Sequence, residues 1–247
     1  MEKEILYIVI PAYNEEDNLE TLVSEWHPIV ERYGNDLSRL LIIDDGSTDS
    51  TSQMLKLLTA RFPRLSFVTK PNGGHGSTVL FGYEKAIAHG ADWIFQTDSD
   101  GQTIADEFPA FWEERFSYDA IIGVRKQRGD GMARKFVEYV LCKVLKHYFG
   151  VSLSDANAPF RLMRASLVDK YLAMIPTDYN LPNAVMTALY VRGGERVLFK
   201  EITFKQRQGG KNSINIRRIV SIGWHALDDF KTIAVGAEPS KRRGSED

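Results

Sequence analysis

Trp93-Ile94-Phe95-Gln96-Thr97-Asp98-Ser99-Asp100-Gly101-Gln102 is a largely apolar run that ends abruptly in two carboxylates one residue apart. Read as a buried strand followed by a loop, it sets Asp98 and Asp100 at a strand terminus as a compact oxygen-donor pair for a hard divalent cation. An isolated Asp-x-Asp triplet also fits a solvated loop, so the surrounding chain has to decide between the two.

The run has companions. β-rich segments at 5–10, 40–43, 65–69, 93–96 and 120–124 alternate with helical periodicity, which predicts a parallel sheet built from βαβ units. Asn14 is placed to cap a helix that opens with Glu15, Glu16 and Asp17, buries Leu19, Leu22, Val23 and Trp26, and is disturbed near its end by Pro28. A second helix follows Asp49 with Met54, Leu55, Leu57 and Leu58 as its buried side, and a third runs over 77–89. In such sheets ligands bind at the carboxyl ends of the strands, so loops 11–15, 44–49, 72–76 and 98–102 converge on one edge. Beyond residue 130 the pattern gives a helix over 132–149, an irregular stretch to 160, and helices over 165–174 and 182–191. A strand over 196–204, a Gly-rich loop and a last amphipathic helix from 215 follow. The fold class expected is α/β, a single domain with a mostly parallel central sheet and helices on both faces.

Composition narrows the function classes. A net charge of -2 over 247 residues leaves no footprint of a general nucleic-acid binder, although basic residues cluster between 125 and 146. Cys142 is the only cysteine, which excludes a disulfide framework or thiolate metal site and suits a reducing cytosol. The start of the chain lacks the pattern of a signal peptide. The segment 214–235 is interrupted by Arg217, Arg218, Asp228, Asp229 and Lys231, which argues against a spanning helix. The expectation is a cytoplasmic protein, at most peripheral at the inner face of a membrane.

Three further loops carry chemistry. Pro11-Ala12-Tyr13-Asn14-Glu15 puts an aromatic ring and a carboxylate where a strand turns into a helix, which suits either a stacked base or a plain helix start. Leu41 to Asp49 repeats the strand-then-acid arrangement, with Asp49 explained by capping and one of Asp44 and Asp45 left to meet a ligand donor. Asn72-Gly73-Gly74-His75-Gly76 lacks the Gly-Lys-Ser/Thr ending of a P-loop and reads as a turn with close backbone approach, with His75 a loop residue rather than a metal ligand.

Taken together, Pro11-x-Tyr13-Asn14-Glu15, Asp44-Asp45-Gly46-Ser47-x-Asp49, Asn72-x-Gly74-x-Gly76 and Asp98-x-Asp100-x-Gln102 resemble the family 2 inverting glycosyltransferases of the GT-A fold. Within them the chain looks most like the dolichyl-phosphate mannose synthase-like, polyprenyl-phosphate sugar transferase branch. Gly123-x-Arg125, Asp155 followed by Phe160-Arg161-Leu162, and Arg207-x-x-Gly210-Lys211-x-Ser213 extend the likeness over roughly residues 5 to 215.

The resemblance implies a nucleotide-sugar half at 1–125 and an acceptor half with a C-terminal helix at 126–236, and the charged, small-residue composition of 237–247 is that expected of a disordered tail. Pro11, Tyr13 and Glu15 would hold the nucleoside, with Asp45 on the base or ribose. Asp98 and Asp100 would hold Mg²⁺ or Mn²⁺ on the donor diphosphate, with Ser99 between them and Gln102 beside the metal. Arg125 and Arg134 would bind an acceptor phosphate, and Arg207 and Lys211 belong to a loop that closes on the donor. The acceptor is a lipid phosphate or a glycan. A lipid phosphate needs no base, whereas a sugar hydroxyl does, for which Asp178 is the first candidate and Asp155 the second. The apolar face from Ile216 to Phe230 reads as packed core or a homodimer contact rather than an anchor. Two other readings differ in kind: a sugar nucleotidyltransferase, which would carry a Gly-rich loop with an Arg after the first strand, and a silent nucleotide-sugar binder.

Overall fold

The computed structural model describes residues 4–125, 132–205, 230 and 233–234, with the backbone alone at 132–137. In chain order the elements are β1 (Leu6–Ala12), α1 (Leu19–Tyr33), β2 (Arg39–Asp44), α2 (Thr51–Arg61), β3 (Leu65–Thr69), α3 (His75–Ala88) and β4 (Trp93–Thr97). There follow α4 (Phe108–Trp112), β5 (Ala120–Arg125), α5 (Met132–Phe149), β6 (Phe160–Arg164), α6 (Ala165–Leu172), α7 (Pro182–Arg192) and β7 (Val197–Ile202).

The seven strands form one sheet in the order β3-β2-β1-β4-β6-β5-β7. All neighbours are parallel except that β6 runs antiparallel between β4 and β5. Side chains alternate across the sheet with the two-residue strand period. Leu6, Ile8 and Ile10 of β1 enter a core with Leu22, Val23, Trp26 and Leu55 of α1 and α2, together with Phe108 and Phe111 of α4. Tyr7 and Val9 enter a second core with Val79, Tyr83, Val185, Leu189 and Phe149 of α3, α7 and α5. Both faces are covered, which is why the strands read as unbroken apolar runs.

The structure departs from the sequence reading in several places. Asn14 is not the cap of α1: it takes φ 53°, and the helix starts only at Leu19. Pro28 lies inside α1, which continues to Tyr33. Leu57 is 70% exposed and does not belong to the buried side of α2, which is made by Thr51, Leu55 and Leu58. The strand β6 falls at the end of a stretch read as irregular, and it joins the second half of the chain to the first by pairing Thr97 with Phe160 and Trp93 with Arg164. Of the face expected from Ile216 onward, Phe230 is buried against the Phe149 and Tyr179 rings, while 216–229 and the tail 237–247 lie outside the described residues. Among the described residues no helix is long and apolar enough to cross a membrane.

Candidate functional site

Strands β1, β2 and β4 all point their carboxyl ends at one edge, β5 runs with them, and β6 begins there because it is reversed. The loops after β1 and β2 are stitched together. Asn14 N–H donates to Ser47 Oγ at 2.9 Å, and Thr48 N–H donates back to Asn14 Oδ1 at 2.8 Å. Ser50 N–H donates to Glu16 Oε2 at 2.8 Å, Glu16 N–H to Asp49 Oδ2 at 3.3 Å, and Glu15 N–H to Thr51 Oγ1 at 2.9 Å. This mutual capping ties the two loops together beside Tyr13, which is 47% exposed. Pro11 is buried at the end of β1, and Glu15 is buried and accepts from Asn18 Nδ2 at 2.7 Å.

Asp45 is more committed than the sequence reading allowed. Its carboxylate takes the Lys70 ammonium and the Gly73 N–H on Oδ1, and the Gly74 N–H on Oδ2, the latter two at 2.9 Å. Burial pushes its carboxyl up, but the Lys70 hydrogen bond, the Gly73 amide, the Thr78 hydroxyl and the Lys70 charge outweigh that and hold it below its ordinary value. In this structure the Asp45 oxygens pin the 72–76 loop to the end of β2. Asp44 is equally occupied, accepting from Ser47 N–H and Thr69 Oγ1, both at 3.0 Å. Gly46 sits between these clasps at φ 68°, and a Cβ there would stand 2.9 Å from Asn72 N, so the turn is closed to larger residues.

The end of β4 is different. The Asp98 side chain is 27% exposed, and its Oδ1 accepts from Gln96 Nε2 at 3.1 Å. Asp100 is half-buried, and its Oδ1 accepts from Gln102 N–H at 3.2 Å, while Ser99 between them is buried. His75 is not a loop residue as expected but the first residue of α3, and its Nε2 lies 3.7 Å from Asp98 Oδ1. The next residue, Gly76, packs so closely on the Tyr179 and Asn180 backbone that a Cβ would overlap the Tyr179 carbonyl oxygen. That contact brings the 176–180 segment, with an exposed Asp178, to the start of α3.

Other expected site residues are placed differently. Gln102 donates its side-chain amide to Lys205 O at 2.9 Å and accepts from Lys205 N–H at 2.8 Å on its own carbonyl. Its side-chain NH₂ thus ties down the chain just after β7. Arg125 and Asp155 meet in a bidentate pair, with both Nε and Nη2 at 2.8 Å, and Asp155 is 2% exposed. A carboxylate clamped by a guanidinium is a weaker proton acceptor, and the pair draws the two expected site residues onto each other. The Arg134 side chain, Arg207 and Lys211 lie outside the described residues. Among the described residues no three His, Cys, Asp or Glu side chains come together as a metal cluster.

The model of the family described as Glycosyl transferase family 2 matches residues 7–172. Curated relatives include undecaprenyl-phosphate 4-deoxy-4-formamido-L-arabinose transferases of Pseudomonas fluorescens. The one from strain SBW25 is 23% identical over 91% of this chain and 64% of its own length. The one from strain Pf0-1 is 27% identical over 87% of this chain and 62% of its own length. The chain thus spans less than two thirds of the length of these relatives. Among solved structures, glucosyl-3-phosphoglycerate synthase from Mycobacterium tuberculosis, in complex with Mn²⁺, uridine diphosphate and glucosyl-3-phosphoglycerate, superposes with a TM-score of 0.68 at 14% identity. That match covers 96% of this chain and 82% of the synthase. Residues 1–349 of S. aureus TarS in complex with UDP give 0.55 at 16% identity, over 82% and 60% of the two chains. The architecture is that of the GT-A fold.

Proposed function

The chain belongs to glycosyl transferase family 2, and from that premise we propose that it is a metal-dependent inverting glycosyltransferase moving a sugar from a nucleoside-diphosphate donor to a polyprenyl phosphate. The observation that carries this reading is the contrast at the crevice edge, where Asp98 and Asp100 keep exposed carboxylate surface while the neighbouring acids are consumed internally. Two carboxylates suit Mg²⁺ or Mn²⁺, with the remaining positions left to diphosphate oxygens and water. When bound, the ion supplies Lewis-acid stabilisation of the negative charge that grows on the leaving diphosphate.

The chain's own residues do the rest. Tyr13 offers an exposed ring for stacking on the nucleobase, backed by buried Pro11 and by Glu15. Asp45 acts at one remove by shaping the 72–76 loop. Arg207 and Lys211 are assigned to the closing loop, whose start is tied to Gln102 through Lys205. A lipid phosphate is already anionic and needs only to be held, a task assigned to Arg134. The relatives named for undecaprenyl phosphate support that acceptor class. It also implies peripheral contact with a membrane on its cytoplasmic side.

A second reading, transfer to a sugar hydroxyl, is favoured by one observation: the exposed Asp178 adjoins Tyr179, whose carbonyl packs on the start of α3. Asp178 would then take the hydroxyl proton. The two part on a pair of variants. Arg134→Ala should cripple transfer to a polyprenyl phosphate, and Asp178→Asn should leave it intact; the reverse result on a sugar hydroxyl acceptor selects the second reading. A thermal-shift screen of nucleoside diphosphates with and without Mn²⁺ identifies the donor, and no stabilisation by any of them would remove the reading altogether.

A further inference from the structure

Behind Asp98 lies a buried polar chain that the chemistry above does not use. Tyr83 O–H donates to Asn183 Oδ1 at 3.3 Å, Asn183 Nδ2 donates to Gln96 Oε1 at 3.0 Å, and Gln96 Nε2 donates to Asp98 Oδ1 at 3.1 Å. Tyr83 and Gln96 are fully buried and Asn183 is 2% exposed. The direction of this chain follows from its last member. An ionised carboxylate only accepts, so Gln96 must turn its NH₂ toward Asp98 and its oxygen toward Asn183. Asn183 must then present NH₂ to Gln96 and oxygen to Tyr83. Burial raises the Tyr83 phenol well above its ordinary value, so it stays protonated and able to donate.

The far end is anchored. Arg161 is fully buried, and its guanidinium donates to the carbonyls of Asn183, Ala156 and Ala158 and to Thr187 Oγ1. No carboxylate is among these hydrogen-bond partners, so its positive charge remains in the low-dielectric interior and acts on Asp98 and Asp155 at longer range. Aligned donors polarise one another in such an interior, and the chain from Tyr83 through Asn183 and Gln96 ends on Asp98 Oδ1. An apolar set of side chains would fill the space between α3, α7 and β4 without the cost of burying these groups.

We propose that Gln96 and Asn183 are positioning residues for the cation site. Their one-way hydrogen-bond chain, starting at Tyr83, commits the Asp98 Oδ1 to Gln96, so that Oδ2 is presented to the ion. The inference rests on the cation role proposed for Asp98. Arg161 serves it from α7's side by fixing the Asn183 backbone.

The test is a Mn²⁺ titration followed by electron paramagnetic resonance, on the full chain with whichever nucleoside diphosphate stabilises it. Gln96→Met keeps length and removes the donor, and Mn²⁺ affinity should fall about tenfold while the protein remains folded. In an Asp98→Ala background the same change should cause no further loss. Unchanged affinity in folded Gln96→Met, or an equal loss without Asp98, would overturn the proposal. If Gln96→Met does not fold, Tyr83→Phe removes only the first hydroxyl; weaker Mn²⁺ binding supports the chain and unaltered binding overturns it. A wild-type protein that binds no Mn²⁺ would instead sink the cation reading of Asp98 itself.

Discussion

Two strands of this sheet end in acids, and the structure treats them in opposite ways. At the end of β2, Asp44 and Asp45 are 0% and 3% exposed, and each carboxylate is met by internal donors on both oxygens. At the end of β4, the Asp98 side chain is 27% exposed and accepts from Gln96, and Asp100 is half-buried and accepts from the Gln102 amide. The first pair is held by donors of the protein itself, and the second is the pair proposed to meet a cation. What separates a clasp from a site is the supply of nearby donors, because a carboxylate already holding an ammonium and two amides gains little from a cation.

The sharpest way to break this contrast is Asp100→Ala. Transfer should fall roughly a hundredfold or more, while urea unfolding shifts by only about 0.5 kcal/mol. A large loss of stability with activity retained would place Asp100 in the structural class. Asp45→Ala should do the reverse. It strands a Lys70 ammonium that is 11% exposed and orphans two backbone amides, costing about 3 kcal/mol in the same unfolding experiment. Asp44→Asn is milder, about 1 kcal/mol, because the Thr69 hydroxyl can rotate to suit the amide.

The finest probe is acid. The Asp45 carboxyl is held below its ordinary 3.8 in the folded protein, so it binds fewer protons than the unfolded chain near that pH. Its contribution is complete above 3.8 and is lost as the pH falls through the lower folded value. Asp45→Asn should therefore flatten the acid limb of a stability-versus-pH curve relative to wild type. Identical limbs in Asp45→Asn and wild type would count against the clasp.

Strands β1 to β5 were legible because a sheet covered on both faces demands continuous apolar runs, and all five were read to within two residues at either end. β6 was missed because Phe160-Arg161-Leu162-Met163-Arg164 carries two arginines in five residues, a poor strand by composition. Arg161 is tolerated there because carbonyls from the 156–158 loop and α7 converge on it. A usable hint was Gln96, an amide in an otherwise apolar strand, which needs partners if buried. Asn14 misled because the same side chain that caps helices also tolerates positive φ, and here it bridges two loops instead.

Local pattern alone determined that carboxylates would gather where the parallel strands end, since strand period and helix spacing are short-range properties of the chain. Which of those carboxylates stays available was decided only in three dimensions. Lys70 and the Gly73 amide reach Asp45 across 25 and 28 residues, Arg125 reaches Asp155 across 30, and Asn183 reaches the strand beneath Asp98 across 87. A donor's distance in space, not in sequence, sets the charge an acid has left to offer.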